Sequence, residues 1–297
     1  MRVIHSFRGE TSRTIAALTA LLLCLLALHA APGADQGPGK SPVNWQLGPG
    51  VATLKNAAEV KLPKGYRFAN GSDTQRMLKA AGEPVSGQEM GMIVPSEGDW
   101  SVFFEFSEDG YVKDDDKDKL DADKLLKTII RGNDQANKQR ESAGNPPLKI
   151  IGWEKPPFYD ETTHNLEWAV RAESEGRPLL NYNTRLLGRR GVMEVVLVCD
   201  PDKLAETWPS FKELIAGYAY KTGQTYAEYR PGDKLAKYGL AALVAGGAVA
   251  VAAKTGLLAA LVLFLKKAWK LVVLGVVAVV SFFKRLLFGR SAPKASE

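Results

Sequence analysis

Four groups of residues have the types and spacing that chemistry would need. Asp114, Asp116 and Asp118 stand at alternate positions, like the opening of a calcium loop, and Asp115, Asp121 and Asp123 extend the run. Such a loop requires Gly at its sixth position and Glu at its twelfth. Those positions hold Lys119 and Leu125, and Lys117 and Lys119 neutralise the run. A solvated loop is expected, with Asp121 or Asp123 serving the N-terminus of the following helix, and no metal is assigned. His164 is the sole histidine between the two apolar ends of the chain and lies in a polar turn; one histidine cannot build a multi-histidine metal site. No Gly-x-Ser-x-Gly string supplies a nucleophile, and no glycine-rich phosphate loop follows a strand, so no cofactor is expected. Cys24 lies in the N-terminal apolar run and should leave with it. Cys199 is then alone, which excludes an internal disulfide, and with Val195, Val196, Leu197 and Val198 before it, it reads as an inert buried thiol.

The fourth group is a candidate binding surface: Trp153, Tyr159, Trp168, Asn181, Asn183, Arg185 and Arg189, with Tyr182 and Arg190 among them. Aromatic and arginine side chains dominate recognition hot spots. The competing reading packs the aromatics into a core and pairs the arginines with acids. In a strand, Asn181, Asn183, Arg185 and Leu187 share one face, and Leu180, Tyr182, Thr184 and Leu186 share the other, the better core candidates. An amide–amide–guanidinium row must be satisfied if buried. Its expected partner is a second candidate network, Asn133, Asn137 and Arg140, which continues the apolar stripe of a long helix; a ligand is the alternative.

The elements that must position these groups follow from periodicity and breakers. Met90–Val94 and Trp100–Phe106 flank the turn cluster 95–99 and read as a hairpin. Leu148–Trp153 pairs with Asn165–Ala172 around Pro156 and Pro157, and Leu179–Leu187 pairs with Val192–Cys199 across Arg190-Gly191. Helices are expected at Ser72–Ala81, at Asp123–Ala143 with a stripe of Leu126, Ile129 and Ile130, and at Asp202–Tyr220 with an interruption near Pro209. This is an α+β layout: an antiparallel sheet of hairpins with packed helices, followed by C-terminal transmembrane helices.

Several strings in this region resemble an uncharacterised bacterial membrane-anchored family, domain-of-unknown-function family 2167. They are Leu62-Pro63-Lys64-Gly65-Tyr66, the segment from Asp109 to Asp115, Ile151-Gly152-Trp153, Pro157-Phe158-Tyr159-Asp160, the segment from Asn181 to Arg189, Asp233-Lys234 and Tyr238-Gly239-Leu240. The resemblance covers nearly all of the chain after its N-terminal apolar run. It implies membrane anchoring and brings no activity or catalytic residue with it.

The two ends set location. Arg2, Arg8 and Arg13 precede an uncharged apolar run from Ile15 to Ala30, followed by small residues, the pattern of a secretory signal cleaved near Ala31. The expected organisation is a signal peptide over 1–30, a linker over 31–50, a soluble domain over 51–230, a membrane anchor over 235–290 and a tail over 291–297. Within the anchor, spans are placed near 238–254 and 269–287. The lysines at 266, 267 and 270 then face the cytoplasm, as the positive-inside rule wants, but Lys284, Arg285 and Arg290 return outward against it. A single span followed by a surface helix removes that conflict. Ala242, Gly246 and Ala250 offer a small-residue face for helix packing.

Net charge supports this division. The chain carries 39 basic and 33 acidic residues; removing the 11 basic and 2 acidic residues of the apolar ends leaves 28 against 31. The middle is mildly acidic, so the basic footprint of a nucleic-acid binder is missing. The resulting expectation is a bacterial inner-membrane protein with its domain in the periplasm. Its partners are the membrane and either another envelope protein or a second copy through the small-residue face. It would act as a binding or assembly module. The alternatives are an envelope hydrolase with a site around Asp109, Asp114, His164 and Arg185, or C-terminal helices acting in transport or lipid interaction.

Overall fold

In a computed structural model, residues 43–246 are described, apart from 82, 84 and 143. The segments expected as signal peptide, most of the expected linker and the part of the expected membrane anchor beyond Gly246 lie outside the described residues. Eleven strands are present among those described. Eight form one antiparallel sheet in the order β1-β4-β5-β6-β10-β9-β8-β7, and three form a second in the order β11-β3-β2. In the large sheet β1 is Gln46–Leu47, β4 Tyr66–Asn70, β5 Glu89–Pro95, β6 Ser101–Ser107, β7 Lys149–Asp160, β8 Asn165–Ser174, β9 Arg177–Leu187 and β10 Val192–Cys199; in the small sheet β2 is Gly50–Leu54, β3 Ala58–Leu62 and β11 Tyr218–Tyr220. The helices are α1 (Gly71–Ala80), α2 (Ala122–Ser142), α3 (Leu204–Ala216) and α4 (Leu240–Ala245).

The hairpins expected from sequence form, with one change. β7 runs straight through Pro156 and Pro157 to Asp160, and the turn to β8 comes later, at 161–164. The prolines lie on an edge strand, where a missing N–H removes no ladder bond, and three register shifts along β7 absorb their geometry. Pro209 does not interrupt α3, which is continuous through it, but the residues after Gly217 turn into β11 instead of prolonging the helix. The cap of α1 is Asn70, whose side chain accepts from the Asp73 N–H, so the helix starts one residue before its expected range.

Strand alternation gives the large sheet two unlike apolar faces. On face A, Phe68, Ile93, Phe104, Leu180, Met193 and Leu197 pack against Leu54, Val60 and Leu62 of the small sheet and Phe211 and Leu214 of α3. On face B, Met92, Val94, Phe103 and Val196 meet Leu78 of α1, and Leu166, Trp168 and Val170 meet Leu125 of α2 and Leu240, Leu243 and Val244 of α4. The buried stripe of α2 starts at Leu125, not Leu126, and runs through Ile129 to Asn133, Ala136 and Arg140.

The packed unit extends past Arg230, the boundary expected from sequence. Tyr111 pairs with Leu235, Arg189 grips Asp233, and α4 buries its apolar residues on face B. Two backbone N–H groups at the start of α4, of Leu240 and Ala241, donate to the Asp116 carboxylate at 2.9 and 3.2 Å. A Cβ at Gly239 would lie 2.6 Å from that carboxylate, so a side chain there would push Asp116 aside. The helix stops at Gly246, which is left-handed with φ 107°. The small-residue face of Ala242 and Gly246 is therefore broken at Gly246, and Ala250 lies outside the described residues. Among the described residues no helix is long and apolar enough to cross a membrane.

Candidate functional site

The acidic run dissolves into separate structural tasks. Asp114 accepts from the Tyr159 hydroxyl at 2.9 Å, Asp116 caps α4, and Asp121 accepts from the Lys124 N–H at 3.0 Å at the start of α2. Asp109 accepts from Ser107 and Tyr238. Among the described residues no three His, Cys, Asp or Glu side chains are placed to hold a metal.

The expected binding surface is buried. Trp168, Asn181, Asn183 and Arg185 lie together on face B, each with at most 4% of its area exposed. The reason is register: Trp168 pairs with Asn183, and Leu166 with Arg185. Tyr159 is buried beside them on β7; Trp153 is half-buried and donates to the Ala122 carbonyl at 3.1 Å. Arg189 stands apart, in a two-point ion pair with Asp233 at 2.7 and 2.8 Å that holds the Asp233 carboxyl down at about 2.

The partner expected for this row is also different. Asn133 and Asn137 both donate to the Leu148 carbonyl at 2.7 Å, Asn137 accepts from the Leu148 N–H, and Arg140 donates to Pro146. The polar end of α2 therefore docks the backbone entering β7. Arg185 instead donates to Glu194 at 2.9 Å and lies over the Trp168 ring at 4.7 Å. Across the sheet Arg185, Glu194, Glu105 and Glu89 form one cross-strand row. Burial, then the neighbouring Glu194 and Glu89, push the Glu105 carboxyl well above the usual range, against the pull of Arg185. Neither Nε nor Nη1 of Arg185 has a hydrogen-bond partner.

His164 does meet an acid. Its Nδ1 lies 3.0 Å from the Tyr159 hydroxyl and 3.9 Å from Asp114, with its ring against Tyr226 at 4.6 Å. Asp109 and Arg185, the other members of the expected hydrolase site, are engaged with Tyr238 and Glu194 instead.

An open site lies on face A, where sequence reasoning placed none. A groove of about 570 Å³ runs between the β8–β9 end of the sheet, α3 and β11. Its apolar wall is Leu186, Trp208, Phe211, Ile215 and Tyr218, and its polar floor is Asn165, Glu167 and Thr184. Glu167 sits opposite Thr184 in the ladder, and Lys155 projects from the same face of β7. The Lys155 ammonium donates to Glu167 at 2.9 Å and to the Tyr182 hydroxyl at 2.6 Å, and that hydroxyl donates to Glu167 at 2.5 Å. Burial, then this carboxylate, raise the Tyr182 phenol, so it stays a proton donor. The Thr184 hydroxyl, on a residue 1% exposed, has no hydrogen-bond partner. Lys155, Glu167 and Trp208 are too far apart in sequence to form a motif. The alternation of β8 was their one visible signal, since it sets Glu167 on the face opposite Trp168.

A family model described as "Protein of unknown function (DUF2167)" matches residues 46–277. The chain belongs to this family. The match spans both the groove and the face-B row, so DUF2167 membership covers the whole described domain without assigning either a task. No curated protein matches the chain. Two solved structures are similar in outline. The cyanobacterial PsbP protein (CyanoP) of Synechocystis sp. PCC 6803 is 14% identical, covering 64% of this chain and 98% of its own, with a TM-score of 0.34. The Ran-binding protein Mog1p of Saccharomyces cerevisiae is 11% identical, covering 63% and 100%, with a TM-score of 0.31. Likeness at that level carries no argument about function.

Proposed function

We propose that this protein is an extracytoplasmic binding or assembly module, exported by its N-terminal segment and tethered to the bacterial inner membrane by the apolar segments beyond Gly246. The domain stands in the periplasm, and the face-A groove is its binding site. One observation carries the reading: the groove has the volume of a small-ligand site, an aromatic wall, and a floor hydroxyl that nothing in the fold satisfies. The burial of the Trp168–Arg185 set supports it by removing the rival surface. The test is photo-crosslinking in intact cells from a reactive group placed at Lys212, on the exposed rim of the groove. A discrete adduct lost in Trp208→Ala is expected. The same adduct from a group at Lys79, on α1 across the sheet, would remove the groove from consideration.

A hydrolase is the second reading, favoured by the contact of Tyr159 with both Asp114 and His164. With Nδ1 occupied, Nε2 is the nitrogen left to act as a base. Loss of a hydrolytic activity in His164→Ala at unchanged melting temperature would select it.

A further inference from the structure

We infer that the groove takes a neutral polyhydroxylated ring compound, a saccharide unit, with its hydroxyl edge on Asn165, Glu167 and Thr184 and its C–H face on the aromatic wall. This rests on the binding reading of the groove. The floor decides the class. Thr184 Oγ1 is buried without a partner and can both donate and accept. Glu167 commits Oε2 to Lys155 and Tyr182, which leaves Oε1 as an acceptor. Asn165 lines the same floor with an amide that offers both functions. Mixed donors and acceptors on neighbouring positions suit adjacent hydroxyls, each of which also donates and accepts.

The wall completes the match. Trp208, Ile215 and the Tyr218 ring present ring and alkyl surface over the buried Phe211, and the Tyr218 hydroxyl is itself buried without a hydrogen-bond partner. The Tyr220 phenol adds only its ring, because its hydroxyl already donates to Leu186 at 2.6 Å and accepts from the Met193 N–H at 3.0 Å. A saccharide ring has an apolar face and a polar edge, as this groove does. Other classes fit less well. A hydrocarbon chain would leave Thr184 Oγ1 without a partner and would seal Glu167 Oε1 from water. An anion would meet the Glu167 carboxylate on the floor, where Lys155 is already neutralised by it, and the remaining lining cation, Lys212, stands out on the exposed rim.

The test titrates the full chain in phosphatidylcholine nanodiscs, free of sugar-headed detergent, by calorimetry. The probes are oligomers of glucose, N-acetylglucosamine and xylose, with decanoate as the hydrocarbon control. Saturable heat is expected with at least one saccharide and none with decanoate. Thr184→Val should weaken that binding by about tenfold without lowering the melting temperature, since it removes one polar contact to the ligand and no partner inside the fold. No heat from any saccharide, or wild-type affinity in Thr184→Val, overturns the inference. Decanoate heat that disappears in Trp208→Ala also overturns it, yet keeps the groove as a binding site. Silence from every probe, joined to an in-cell crosslink indifferent to Trp208→Ala, removes both readings.

Discussion

Glu83 gives a prediction whose size can be worked from the structure. It follows α1, is 7% exposed, and lies 3.9 Å from Arg140 Nη1. Neither its Oε2 nor that Nη1 has a hydrogen-bond partner. Burial raises the Glu83 carboxyl from 4.5 to about 7, and the Arg140 charge offsets only part of that. The folded value is above the unfolded one, so this group's contribution is fully present below about pH 4.5 and is lost as pH rises through about 7. Each pH unit between the two values is worth about 1.4 kcal/mol, so the loss is about 3 kcal/mol by pH 8. Glu83→Gln keeps the shape and cannot ionise. Urea unfolding of a fragment ending at Gly246 should show near-equal stability at pH 4.5 and a variant more stable by about 3 kcal/mol at pH 8. The Arg140 attraction that glutamine forgoes is already inside that figure, because about 7 is the net of burial and that charge. A variant less stable than wild type at pH 8 would refute the reasoning.

Arg185→Ala strips Glu194 of its partner beside Glu105 and uncovers Trp168, and should lower unfolding free energy by about 2–4 kcal/mol; a melting curve that does not move would contradict the ion pair. A fragment ending at Gly246 should fold, whereas one ending at Arg230 loses the Asp233 pair and the burial of Leu240, Leu243 and Val244. Those three side chains alone are worth roughly 5 kcal/mol, so equal melting temperatures for the two fragments would refute the α4 docking. Cys199 is 1% exposed and burial pushes its thiol up to about 12. It should resist thiol reagents in the native fragment at pH 8 and react fully in denaturant, as mass spectrometry would show.

Strand and helix periodicity made much of this fold legible in sequence. The hairpins β5–β6 and β9–β10 lie where alternation and turn residues put them, and α2 matches its expected range to within a residue at each end. The missed elements are short strands. β3 reads Ala-Glu-Val-Lys-Leu, a clean alternation whose buried members are Ala58, Val60 and Leu62, but a five-residue strand needs a partner sheet before it can be told from a loop. β11 was absorbed into the preceding helix for the same reason. The parity argument on β9 was sound: Leu180, Tyr182 and Leu186 are in the face-A core. It could not say what covers the other parity, because that depends on which helix packs there. The polar stripe of α2 was visible, yet its partner proved to be the backbone at Pro146 and Leu148, and main-chain groups leave no mark in a residue pattern. The groove was invisible because its parts come from β7, β8, β9, α3 and β11, and only the folded register joins them.

The two faces of the sheet carry different work, and the tail explains why. Without α4, Leu166, Trp168 and Val170 on face B would lose the cover of Leu240, Leu243 and Val244. The C-terminal segment supplies the missing apolar surface and is fixed there by Asp116, Asp109 and Arg189. A helix that is capped by a carboxylate 124 residues away in sequence is part of the domain and not a free linker. Face B is therefore spent on α1, α2 and the start of the tail, and its polar row is closed over. Face A keeps an opening because β11 and α3 cover only part of the β8–β9 end, leaving Thr184 roofed by no polar group. Binding at the groove then has no need to displace α4 from the opposite face. Asp116→Ala, which loosens α4, should leave ligand affinity at the groove unchanged while lowering the domain's melting temperature, by the loss of a helix cap worth about 1 kcal/mol. Affinity that falls with the melting temperature would mean that the two faces are coupled through the sheet.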